Sequence, residues 1–96
     1  MPTYVTLIHY TEQGVKTFKD LPARLEETRT AGQAGGSKLV AYYLTMGQYD
    51  AVVVSEAPDD EAIAKLALAA GGRGNVRTET MRAFNEDEAK RIASEL

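Results

Sequence analysis

The chain has 96 residues and a formal net charge of −3, with one histidine and no cysteine or tryptophan. The length suffices for one small hydrophobic core, and the lack of cysteine excludes disulfides, thiol nucleophiles, zinc knuckles and iron–sulfur clusters. A single histidine builds no multi-histidine metal cage, and a pI near 5.1 with dispersed Lys and Arg argues against a nucleic-acid binder.

Thr3-Tyr4-Val5-Thr6-Leu7-Ile8-His9-Tyr10 is rich in β-branched and aromatic side chains and lacks a helix-spaced apolar stripe. It is predicted to be a strand with apolar character on both faces. Thr11 follows as a helix N-cap, its hydroxyl placed to accept an otherwise unpaired backbone N–H. Val15, Phe18, Leu21 and Leu25 then recur at helical spacing, but Pro22 has no N–H and its ring would crowd the Phe18 carbonyl. The expectation is a short helix to about Lys19 and a second one starting near Asp20–Pro22. That second helix frays at Gly32 and stops at Gly35-Gly36.

Lys38–Met46 and Tyr49–Glu56 read as the second and third strands, joined by Gly47-Gln48 as a two-residue type II′ turn with Gly47 at positive φ. Pro58-Asp59-Asp60-Glu61 opens a helix with its acids at the positive end. Ile63, Leu66, Ala67 and Ala70 give that helix one apolar stripe, and Gly71-Gly72-Arg73-Gly74 ends it. Asn75–Phe84 is predicted as the fourth strand. Asn85 and Glu88 have capping-box spacing, and Ala89, Ile92 and Leu96 stripe a short terminal helix.

The order β-α-β-β-α-β plus a helix is the ferredoxin-like α+β arrangement, a four-stranded antiparallel sheet with both crossover helices on one face. It is expected to occupy residues 1–96 as one domain. The other face is left bare, yet Val52 and Val54 oppose Val53, Tyr42 opposes Tyr43, and Val5 and Leu7 oppose Ile8. Whichever face is open is therefore apolar, and an apolar sheet of that size invites aggregation unless covered. Alanine supplies 14 of the hydrophobic residues, so the chain's own core is thin. Sheet-to-sheet packing of two copies as a dimeric α+β barrel, or a larger ring built from it, is the expected remedy.

Thr45-Met46-Gly47-Gln48-Tyr49-Asp50-Ala51-Val52-Val53, with Gly74-Asn75-Val76-Arg77-Thr78, resembles the GYD-domain family over nearly the whole chain. One residue, Gln48, separates Gly47 from Tyr49. The resemblance implies a ferredoxin-like α+β barrel and no established activity. The same hairpin also resembles the ligand-sensing domain of Lrp/AsnC-type regulators, which implies at most small-molecule sensing, since no helix-turn-helix region accompanies it.

His9 is the chain's one imidazole, the side-chain type suited to moving protons near neutrality. At a strand end it is a candidate general base, haem ligand or partner of Asp50; a histidine satisfied by backbone or solvent is the commoner case. Asp50 is a candidate for holding a ligand amine or orienting His9, set against an aspartate that fixes backbone amides beside a turn. Among the tyrosines Tyr43 is the favoured ligand contact, sharing a face with Thr45 and Asp50 if Met46 pairs with Tyr49. Tyr49 either joins that site or covers the hairpin end.

The glycines of Gly71-Gly72-Arg73-Gly74-Asn75 run from helix into strand, the wrong polarity for a phosphate cradle. Arg73 and Arg77 remain candidates for clamping a carboxylate, with Asn75 beside them or acting as a turn former. The acidic groups at helix starts are explained by capping, so no metal site is expected. No cofactor is expected either. The function these residues point to is a self-associating small-molecule-binding or accessory protein, without partnership to nucleic acid or membrane. The alternative is a cofactor-independent monooxygenase or isomerase that uses His9, Asp50 and a tyrosine in the barrel lumen. No apolar run nears the roughly 20 residues a membrane span needs, and Met1-Pro2-Thr3-Tyr4 is unlike a secretory start, so a cytoplasmic protein is expected.

Overall fold

Strand β1 (Thr3–Tyr10) leads in the computed structural model, which describes residues 1–96, into α1 (Glu12–Lys16), a 3-10 turn (Phe18–Asp20) and α2 (Leu21–Ala34). Strands β2 (Lys38–Leu44) and β3 (Ala51–Glu56) follow, then α3 (Asp60–Gly72), β4 (Val76–Ala83) and α4 (Glu86–Ser94). The strands form one antiparallel sheet in the order β2-β3-β1-β4, the ferredoxin-like arrangement. No helix is long and apolar enough to cross a membrane.

The local chemistry is that of the side chains at each break. Thr11 Oγ1 accepts the Gly14 N–H at 3.1 Å and starts α1. The helix tightens to 3-10 geometry before Pro22, which lies in the first turn of α2 where its missing N–H costs nothing. Because α1 ends at Lys16, Val15 leaves the predicted stripe and is exposed. Asp59 caps α3 through the Ala62 N–H at 2.9 Å, and both bonds of the Asn85–Glu88 capping box form. Helix α3 carries Gly71 and Gly72 within it rather than stopping at them.

The hairpin departs from the two-residue turn. Gly47 does have positive φ, 107°, but β2 ends at Leu44 and β3 begins only at Ala51. Thr45 N donates to Asp50 O at 2.8 Å, and the Thr45 hydroxyl donates to Tyr49 O at 2.7 Å. That side chain takes a carbonyl the ladder would otherwise use, leaving a wider loop. A register shift between Leu39 and Ala41 also places a bulge at Val40 in β2.

Strand β3 shows the two-sidedness of the sheet. Ala51, Val53 and Ser55 are buried, whereas Val52, Val54 and Glu56 between them are half-buried. One small core joins Tyr4, Ala57 and Ile63; another joins Ile8, Ala51 and Val53. Only ten of 96 residues are buried. The pairing registers put Val5, Leu7 and His9 on the opposite face, beside Val52 and Val54 of β3, Ala41 and Tyr43 of β2, and Arg77, Glu79 and Met81 of β4.

Candidate functional site

His9 emerges on the open face where β1 ends, directly across from Arg77 of β4. The hairpin brings Tyr49 against it, the two rings 4.7 Å apart and tilted by 37°. Tyr49 then reaches across β1, its hydroxyl donating to Glu79 Oε2 at 2.9 Å. That bond and the carboxylate's charge raise the Tyr49 pKa, because both favour the neutral phenol. Tyr43 lies on the same face opposite Val52, largely exposed.

Asp50 is committed to the backbone of β1. Its Oδ2 accepts the Tyr10 N–H at 2.9 Å, and its own N–H donates to Ile8 O at 2.8 Å. Asp50 and Thr45 therefore lock the hairpin beside the strand end, and no hydrogen bond joins Asp50 to His9.

Arg73 and Asn75 stand apart from this group, in the loop between α3 and β4 that is fastened to α1. Thr11 N donates to Asn75 O at 3.0 Å, and the Thr11 hydroxyl donates to Gly74 O at 2.6 Å. Gln13 Nε2 donates to Arg73 O at 3.2 Å and to Asn75 Oδ1 at 2.9 Å. The Arg73 guanidinium faces Glu27 Oε2 at 3.4 Å, away from Arg77. So the nominated residues divide in two: His9, Tyr43, Tyr49 and Arg77 share the open face, Thr45 and Asp50 brace it, and Arg73 and Asn75 serve the helix side. Glu79 is the contact sequence reasoning missed, since its bond to Tyr49 exists only once β4 pairs with β1.

The chain is 36% identical over 85 residues to a Thermus thermophilus protein named glutamine synthetase and cystathionine beta-lyase binding protein, covering 88% of this chain and 90% of that one. The solved structure of FFRP-DM1 superposes with a TM-score of 0.60 at 16% identity, over 88% of this chain and 100% of that one. TTHA0845 from Thermus thermophilus does so with a TM-score of 0.55 at 23% identity, over 88% and 95%. At those identities the two structures attest the fold alone. The family model of the GYD domain matches residues 4–93, and on that extent of agreement the chain belongs to the GYD domain family.

Proposed function

We propose that this protein is a non-catalytic accessory protein that self-associates through the open face of its sheet and binds an enzyme as its client. The observation that carries this reading is the composition of that face: Val5, Leu7, Tyr43, Val52, Val54 and Met81, all half-buried or exposed, with no helix assigned to cover them. Burying what remains accessible of each contributes on the order of 1 kcal/mol. A two-fold axis doubles the set, giving a gain comparable with the roughly 4–15 kcal/mol that association costs.

The printed name of the Thermus thermophilus relative supports a protein client. The separate engagements of His9 and Asp50 support binding over a monooxygenase or isomerase activity. In a sheet-to-sheet dimer, His9, Tyr43, Tyr49 and Arg77 would face the shared lumen, with Thr45 and Asp50 at its rim. Aromatic faces, hydroxyls and one cation there suit a small polar or aromatic ligand.

Light scattering after gel filtration is expected to give at least twice the 10.4 kDa chain mass. Val54→Arg, a charge at the centre of the face, is expected to give the single-chain mass with an unchanged far-ultraviolet spectrum. Surface plasmon resonance against purified glutamine synthetase and cystathionine β-lyase of the same organism is expected to detect a complex with at least one. A wild-type chain that runs at single-chain mass, or that binds neither enzyme, overturns this reading.

A further inference from the structure

Between the sheet and helices α2 and α3, on the face opposite the self-association surface, lies a cavity of about 140 Å³. Protein interiors are close-packed, with few voids larger than a water molecule, and an apolar cavity of about 150 Å³ takes up benzene. The space is thus of ligand size. Its walls include Leu25 of α2, Leu39 of β2, Val53 of β3, and Ile63 and Leu66 of α3.

Arg24 and the Tyr10–Tyr42 pair bring spare hydrogen-bond donors to the cavity lining. Arg24 lines the cavity, its side chain only 20% exposed, and its Nη1 is buried with no hydrogen-bond partner. Its Nη2 is already engaged by the Thr17 hydroxyl and lies 3.9 Å from Asp20 Oδ2. Tyr10 and Tyr42 also line the cavity, their hydroxyls 2.6 Å apart. Two hydroxyls that share one hydrogen bond retain one proton for a further acceptor. Burial, and then the bond to Tyr42, push the Tyr10 pKa well up and hold it as a neutral donor. A buried guanidinium N–H left unpaired is costly, and a carboxylate is its strongest complement.

We propose that this cavity binds a small monocarboxylic acid with an apolar body of about benzene size. The carboxylate would sit on Arg24 and the Tyr10–Tyr42 pair, and the apolar body beneath Leu25, Leu39, Ile63 and Leu66. A multiply charged phosphate suits the site poorly, because its remaining oxygens would face aliphatic wall. The site is independent of the self-association reading, since it lies wholly within one chain.

Isothermal calorimetry on the full chain with hexanoate, 1-hexanol and hexylammonium tests it. Hexanoate is expected to bind most tightly, hexanol more weakly, and hexylammonium not at all. Arg24→Met, which keeps the stem volume, is expected to weaken hexanoate by about tenfold or more while leaving hexanol nearly unchanged. Ala67→Leu, filling the cavity, is expected to lose both. Methyl NMR of the wild type is expected to show hexanoate shifting Leu25, Leu39 and Leu66 and leaving Val5 and Val54 in place; this decides the matter if Arg24→Met does not fold. Absence of hexanoate binding, equal binding of hexylammonium, an unaffected Arg24→Met variant, or shifts confined to Val5 and Val54 would each overturn the proposal.

Discussion

Tyr10 is held from three directions: its N–H by Asp50, its ring edge-on to Phe18 at 5.2 Å, and its hydroxyl by Tyr42 at 2.6 Å. Its raised pKa means that folding favours the protonated phenol. The stabilisation is therefore complete below the unfolded value of 10.0 and lost as pH rises through the higher folded value. Thermal melts by circular dichroism from about pH 8 to about pH 11 are expected to show the midpoint falling above about pH 10. The Tyr10→Phe, Tyr42→Phe double variant is expected to fall less steeply. Some decline will persist, because Tyr4 and Tyr49 are also raised by bonds to Asp60 and Glu79. Parallel slopes in wild type and variant would contradict this account.

At this scale a backbone role for Asp50 was legible, but its partner was not: the amide it holds is that of Tyr10, 40 residues away on β1 and not local to the turn. The destination of Tyr49 was not: Glu79 lies 30 residues on, and only the strand order brings the two together. Nothing in the sequence singles out Arg24, because its burial depends on what α2 covers.

Among the elements, the clasp between α1 and the α3–β4 loop makes the sharpest demand on sequence. A Cβ on Gly14 would stand 2.1 Å from Asn75 O, a backbone atom already held by Thr11 N. Alanine gains about 1 kcal/mol of helix propensity there, but the forced displacement costs about 1–3 kcal/mol and parts the clasp. Gly14→Ala is expected to lower stability in urea denaturation. Gly71→Ala, within α3 with open space around it, is expected to raise it by about 0.5–1 kcal/mol. If both substitutions act in the same direction, the steric account of Gly14 is wrong.

The break at Pro22 and the caps at Thr11, Asp59 and Asn85 were readable because each is decided by neighbouring atoms. The width of the hairpin was not, since it turns on whether the Thr45 hydroxyl captures the Tyr49 carbonyl. Nor was the bulge at Val40, which resets the alternation of β2 and so decides which of Tyr42 and Tyr43 meets the helices.

As a whole the molecule measures 48 × 32 × 18 Å, with a radius of gyration of 14.2 Å. A compact chain of this length is expected near 12.5 Å. The excess reflects a thin two-layer body and an α4 that shares few contacts with the rest. On the proposed self-association, a body with so little interior would gain stability from a second copy by mass action, and its melting temperature would depend on concentration. Scanning calorimetry is expected to show the midpoint rising with protein concentration, and Val54→Arg is expected to abolish that rise. A midpoint independent of dilution would mean that the single chain is stable unaided.

Val40 lies in β2, a border strand of the sheet. An irregular border is a poor template for lateral growth, because a newcomer finds its amides and carbonyls out of step. On the other border Arg77, Glu79 and Arg82 are spread along β4, and charge there discourages the same kind of addition. The proposed union of copies would thereby be steered toward stacking and away from edge-wise recruitment, which favours a closed particle of finite size over a fibril.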